Sequence, residues 1–311
     1  MPVPNVVTIE EHFWTPELSG AGHPQAGAPE RLSDMGPLRI REMDEAGIDL
    51  QVMSESAPAT QNLDPEAAVR LARRSNDYLH EAVRSHPDRF AGFATLPTPD
   101  PRAAADELER AVTKLGFKGA MIMGLTHGRF LDEKDFWPIF ERAAALDVPI
   151  YIHPGPPHRA VVEAYYKDFP NLTGASLGFT VETLTHVVRL IVRGVFDAYP
   201  KLTIIVGHLG EALPFLLWRT DDTLKRHTKL ARGFADYVRA HFYVTTSGAF
   251  SNSALQCTIA ELGVEKILFA VDWPFMSNTP GRKFMDAAPI SEKDRQAIFG
   301  GNARKLLKLW S

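Results

Sequence analysis

Short apolar runs alternate with longer segments of helical period from one end of the chain to the other. Eight runs have strand length, each ending in a polar turn: Val6–Glu10, Asp49–Ser54, Phe90–Leu96, Gly119–Gly124, Pro149–His153, Leu202–His208, Phe242–Ser247 and Ile267–Asp272. Most are continuously apolar rather than alternating, as parallel strands covered on both faces are. The segments between them, 64–86, 100–115, 133–146, 181–198, 210–229, 253–262 and 291–309, carry apolar residues at helical spacing. In 64–86 the stripe is Ala68, Leu71, Ala72, Tyr78 and Leu79, behind Asp64 as N-cap and Pro65 at the first helical position. Ser291, with Asp294 three residues on, predicts a capping-box variant at the start of 291–309. Eight strands alternating with helices predict the α/β class and a (β/α)8 TIM barrel, built as one domain over 1–311. An open doubly wound sheet fits less well, because it more often has fewer strands and a Gly-rich phosphate loop, and neither a GxGxxG nor a Walker sequence occurs.

Two stretches fall outside the repeat. Residues 14–38 follow the first strand and are rich in Gly, Pro and Ser; residues 154–178 follow the fifth. In a barrel the loops after strands line the active-site mouth, so both are candidate lids, the alternative being plain long surface loops.

Composition narrows the function without naming it. With 311 residues, 45% hydrophobic and 23% charged, the chain has the make-up of an ordinary globular protein. A net charge of -4 and the absence of long like-charge runs give no footprint for nucleic acid or an anionic membrane, so a small-molecule partner is expected. The start of the chain lacks a basic region followed by an apolar one, and no apolar stretch has spanning length, so the expected location is cytoplasmic. One cysteine, Cys257, excludes an internal disulfide and a Cys-rich structural zinc site.

The chemistry sits where the strands end. "TIEEHF" at 8–13, "YIHPG" at 151–155, "VGHLGE" at 206–211 and "AVDWPF" at 270–275 each place a His, Glu or Asp after an apolar run. Imidazole and carboxylate together suit an open, catalytic zinc or manganese site. Glu10 and His12, one residue apart on a strand, point to the same side and can bind one ion; Glu11 points away, towards a barrel or loop contact. His153 and Asp272 would complete the ligand set. His208 is either a further ligand or a substrate-facing group oriented by Glu211, three residues on; the latter is preferred here. Candidates for the substrate pocket are His158 in the second loop, Arg219 as a carboxylate clamp or else a helix-surface ion pair, and the strand-end aromatics Trp14 and Phe275, which otherwise simply pack.

These motifs, with "SAPATQ" at 56–61, "PDRFAGFATLP" at 87–97, "GFKGAMI" at 116–122, "HLGEALPF" at 208–215 and "TTSG" at 245–248, resemble the amidohydrolase superfamily nearly end to end. The similarity is to its aminocarboxymuconate-semialdehyde decarboxylase-like branch, which holds the gamma-resorcylate and 2,3-dihydroxybenzoate decarboxylases; the Glu-x-His form after strand one looks like that subgroup. The resemblance implies a barrel of the metal-dependent hydrolase type. It also implies one Zn2+ or Mn2+ per chain on Glu10, His12, His153 and Asp272, with His208 and Glu211 beside the substrate carboxylate. A homodimer or homotetramer is implied as well. The substrate would be an ortho-hydroxylated aromatic or heteroaromatic acid, with Asp272 protonating the ring carbon that loses carbon dioxide. Gly155 and Pro156 stand where these decarboxylases commonly have an Arg-Asn pair, and no Asn lies near Met123. Two other functions share the same residues: metal-assisted hydrolysis of an amide, lactone or related bond, and ligand binding by a barrel without turnover.

Overall fold

The computed structural model describes residues 5–18 and 28–309. Its strands are β1 (Val7–Phe13), β2 (Leu50–Glu55), β3 (Phe90–Gly92), β4 (Ala94–Thr95), β5 (Ala120–Met123), β6 (Ile150–His153), β7 (Ile204–Val206), β8 (Phe242–Thr245) and β9 (Ile267–Leu268). They pair in parallel in the order β1-β2-β3 and β4-β5-β6-β7-β8-β9. Only Phe93 separates β3 from β4; its N–H donates to Met53 of β2 while Ala94 donates to Gly119 beside β5, so the two pieces are one stave. The ring closes at a parallel bridge between Glu11 and Trp273, with the His12 N–H on the Trp273 carbonyl at 2.7 Å. The eight expected runs are thus the eight staves of a (β/α)8 barrel.

Successive side chains of each stave face opposite ways. Met121, Tyr151, Ile205 and Leu268 fill the interior with Val7, Ile9, Val52 and Phe93, while Ile122, Ile152, Val206 and Val244 meet the helices outside. Ala303, Leu307 and Leu309 join the interior cluster and close its lower end. In β1 the alternation breaks. Between Thr8 and Glu11 the register on β2 slips by one residue, a bulge, so Ile9 and then Glu10 both face inward. That extra residue aims Glu10 and His12 into the mouth of the barrel.

The helices follow their stripes and caps. Asp64 accepts from Ala67 N–H at 3.0 Å ahead of Pro65–Ser85, and Ser291 accepts from Asp294 N–H at 3.1 Å. Segment 181–198 becomes two helices, Gly178–Val192 and Val195–Ala198, because Gly194 turns left-handed at φ 84. Segment 291–309 is broken by a π-helical turn, Ala297–Gly301. Three further helices were not apparent from periodicity: Pro37–Ala46, Phe234–His241 and Asn278–Ala287. In Pro37–Ala46 the buried side chains are Arg39, Met43 and Ala46, so a charged residue occupies the face an apolar stripe would mark. Of the first candidate lid, Ala28–Ser33 is helical and residues 19–27 lie outside the described residues. Among the described residues no helix is long and apolar enough to cross a membrane.

Helix Gly178–Val192 also carries a pH-sensitive contact. His186 is buried, accepts the Leu131 N–H at 3.0 Å, and is lowered by that burial from 6.5 to about 4. Above pH 6.5 the ring is neutral folded and unfolded; below it the unfolded chain takes up a proton that the folded chain refuses until about pH 4. Stability should therefore fall with acidification through that window at about 1.4 kcal/mol per pH unit. His186→Gln keeps an acceptor and cannot titrate. Urea melts at pH 6.5 and 5 should show wild type losing roughly 2 kcal/mol more than the variant; equal losses would mean that His186 does not resist protonation.

Candidate metal centre

Three staves deliver the centre's four residues at their C-terminal ends. β1 supplies Glu10 and His12, β6 ends on His153, and Asp272 follows β9. One ligand atom from each lies within 4.8 Å of the others. His12 Nε2 is 3.2 Å from Asp272 Oδ1, and His153 Nε2 is 3.4 Å from Glu10 Oε1.

The surroundings leave these atoms free for a cation. Glu10 Oε2 accepts from the Tyr151 hydroxyl and from Thr245 Oγ1 at 2.9 Å, which holds the carboxylate and points Oε1 at the histidines. His153 Nδ1 lies 2.7 Å from the Pro154 carbonyl, so Nδ1 carries the proton and Nε2 offers its lone pair. Glu10 Oε1, His12 Nε2 and Asp272 Oδ1 are buried with no hydrogen-bond partner among the described residues. Orphaned buried polar atoms are rare because each costs about 1–3 kcal/mol. Two imidazoles and two carboxylates, three of them orphaned towards one point, fit a divalent ion such as manganese or zinc.

Electrostatics agree with that geometry. Burial raises Glu10 above the ordinary carboxylate range despite the pull of His208. Burial also pushes Asp272 upward, but the adjacent His12 and His208 imidazoles outweigh it and leave the carboxyl well below its usual range. His153 is pushed down to about 3 by burial and by His12. Burial would lower His208, yet Glu10, Asp272 and Glu211 together hold it well above 6.5.

His208 sits beyond β7, its Nε2 3.8 Å from Glu10 Oε1 and 3.9 Å from Asp272 Oδ2. Its Nδ1 is 2.8 Å from Glu211 Oε1, and Glu211 Oε2 accepts from Thr180 Oγ1 at 2.6 Å. The backbone from His208 to Glu211 is left-handed at all four residues, with φ 54, 55, 80 and 57, and Asp272 has φ 75. Only Gly210 adopts this freely. Such strain persists where surrounding contacts over-determine it, typically at functional sites.

A cavity of about 420 Å3 opens above the ligands, lined by His153, His208, Asp272 and Phe275, by Ser56 and Ala57 after β2, and by Pro170, Asn171 and residues 173–176 of the second loop. A second lobe of about 360 Å3 continues past His208 and Asp272 to Thr180 and Glu211. The Phe275 ring centre lies 5.6 Å from that of His12, the two rings tilted at 55°, with buried Trp14 packed behind it against Leu32. Two expected pocket residues are not brought to the cavity of this chain. His158 is exposed and caps Arg159–Val161 through its Nδ1, and Arg219 is exposed on helix Leu213–His227. Gly155 is explained by contact: a Cβ there would meet the Gly124 backbone at 3.0 Å, so a larger residue does not fit this approach of the two loops. Tyr151 lies beneath Glu10 on the same face of β6 as His153, two residues on; that spacing was the available signal.

A divalent-metal site in the mouth of a (β/α)8 barrel defines a class, the metal-dependent barrel enzymes. Within it the chain belongs to the amidohydrolase family, whose model matches residues 8–309. It is 41% identical over 321 residues to the gamma-resorcylate decarboxylase of Polaromonas sp. (strain JS666 / ATCC BAA-500), covering 97% of this chain and 98% of that one. The structure of 2,6-dihydroxybenzoate decarboxylase from Rhizobium superposes with a TM-score of 0.94 at 38% identity over 98% of this chain and 99% of that one. A dihydroxybenzoic acid decarboxylase from Polaromonas, with bound manganese and 2-nitroresorcinol, gives 0.92 at 39% over 98% and 97%. The chain is a nonoxidative decarboxylase of this family, with Glu10, His12, His153 and Asp272 as its candidate site for one divalent ion. Of the three functions the sequence left open, the comparisons support the carboxy-lyase.

Proposed function

We propose that the chain removes the carboxylate of an ortho-hydroxybenzoate, with 2,6-dihydroxybenzoate the first candidate, at a Mn2+ or Zn2+ held by Glu10, His12, His153 and Asp272. The observation that carries this reading is the convergence of three buried, unpartnered ligand atoms on a cavity whose far wall is His208. When bound, the ion supplies Lewis-acid polarisation of the substrate's oxygens and a fixed point for its orientation. Asp272 directs Oδ1 at His12 and Oδ2 at His208, so Oδ2 is the atom that moves a proton. It relays a proton taken from the His208 imidazolium to the ring carbon bearing the carboxylate; the carbon–carboxylate bond then breaks, carbon dioxide leaves, and the bond's electron pair restores the aromatic ring. His208, fixed at Nδ1 by Glu211, presents Nε2 to Asp272 and supplies the proton that Asp272 relays. Phe275 forms one wall against the ring, and residues 170–176 serve as a lid that keeps water from the reacting carbon.

The reading includes a homodimer or homotetramer. Phe215 and Trp218 are 83% and 75% exposed on helix Leu213–His227, which supports self-association through that face. Light scattering should give a mass of two or four chains.

The test is turnover of 2,6-dihydroxybenzoate by Mn2+-loaded protein in D2O. One carbon dioxide per resorcinol is expected, with one deuterium at the carbon that lost the carboxylate. No release from any ortho-hydroxybenzoate, together with cleavage of an ester or lactone by the same sample, would replace this reading with hydrolysis.

A further inference from the structure

His12 and Asp272 stand on the two staves that close the barrel, and among the described residues those staves share no regular ladder. β9 ends at Leu268, and its continuation meets β1 through the one bridge at Glu11 and Trp273. We propose that Glu11 and Arg39 are positioning residues that clamp this seam and thereby set the spacing of the His12 and Asp272 ligand atoms. The proposal rests on the ligand set proposed above.

Glu11 is buried and faces away from the cavity. Its Oε1 accepts the N–H of Val271 at 3.0 Å and its Oε2 the N–H of Trp273 at 2.9 Å. One carboxylate therefore holds the residues on both sides of Asp272, doing by side chain what a neighbouring strand does elsewhere in the barrel.

Arg39 approaches the same seam from helix Pro37–Ala46 and is itself fully buried. Its Nη2 donates to the His12 carbonyl at 2.5 Å, its Nη1 to Gln51 Oε1 at 3.2 Å and its Nε to the Asp34 carbonyl at 3.1 Å. The guanidinium carbon lies 4.0 Å from the centre of the Trp273 ring, whose Nε1 donates to Glu42 Oε2 at 2.7 Å on that helix. With the His12 N–H already on the Trp273 carbonyl, both polar groups of the His12 backbone are engaged. The clamp thus touches the backbone of one ligand and both neighbours of the other, without touching a ligand side chain.

Outer contacts of this type typically change metal affinity by about 10- to 100-fold. Mn2+ affinity, read by electron paramagnetic resonance of the free ion, should weaken by about that factor in Glu11→Gln and Arg39→Met, in samples shown to be folded by circular dichroism. Glu107→Gln is the control: Glu107 is a buried carboxylate bonded to Asn76 and Arg110 on the outer helices, remote from the seam, so its loss should lower stability and leave affinity within about twofold. If Glu11→Gln does not fold, Arg39→Lys carries the same test, since its single ammonium cannot span the His12 carbonyl, Gln51 and the indole together. Folded variants that bind Mn2+ like wild type would overturn the clamp alone, as would a control that loses affinity equally. Wild type that binds no Mn2+ would overturn the ligand set and the clamp with it.

Discussion

Asp272→Asn should reduce carbon dioxide release by about three orders of magnitude or more, the upper part of the range for losing a general acid–base group. Asparagine is the informative replacement because it keeps the side-chain shape and tolerates the left-handed backbone, φ 75, that Asp272 adopts. The Val271 and Trp273 N–H groups stay on Glu11, so the chain on either side stays in place. What disappears is the negative charge between His12 and His208 and the oxygen that carries the proton. The variant should still bind Mn2+ through Glu10, His12 and His153, more weakly for want of one anionic ligand. The measurement is single-turnover carbon dioxide release at saturating Mn2+; a variant retaining more than a tenth of the wild-type rate would remove Asp272 from the proton path.

Much of this site could be read from the sequence because parallel strands buried on both faces leave unbroken apolar runs. A polar residue at the end of such a run has to stand in the barrel mouth, which is how Glu10, His12, His153, His208 and Asp272 become visible together. Features that depend on contacts between distant segments were not visible. The bulge between Thr8 and Glu11 adds a residue without changing composition or spacing in any way that periodicity records. Helix Pro37–Ala46 hides because its buried face holds Arg39, whose partners are a carbonyl, an amide and an indole face from three other segments. Arg219 and His158 illustrate the converse. Their residue types suit an aromatic acid, but periodicity does not say which side of a helix or loop meets the cavity, and both lie exposed. Likewise the left-handed turn from His208 to Glu211 has one glycine where four residues are left-handed, so the strain that aims His208 leaves little trace in the sequence.

Removing the ion should both silence the enzyme and loosen the barrel. Without a cation, Glu10 Oε1, His12 Nε2 and Asp272 Oδ1 are buried atoms with nothing to bond, and Glu10 is a carboxylate out of contact with water. Each such group costs about 1–3 kcal/mol, and an ion that binds only the folded chain relieves that cost. Stability should accordingly rise with free Mn2+ as the logarithm of its concentration, by about 2.7 kcal/mol at a hundredfold excess over the dissociation constant. For a domain of this size that corresponds to a rise of several degrees in Tm. Dialysis against a chelator should lower Tm by that amount and abolish carbon dioxide release, and readdition of Mn2+ should restore both with the same concentration dependence. The two readouts separate two possibilities. Activity lost at unchanged Tm would mean that the ion meets only substrate and not the three orphaned side chains, whereas full activity after exhaustive chelation would mean that Glu10, His12, His153 and Asp272 act without any metal.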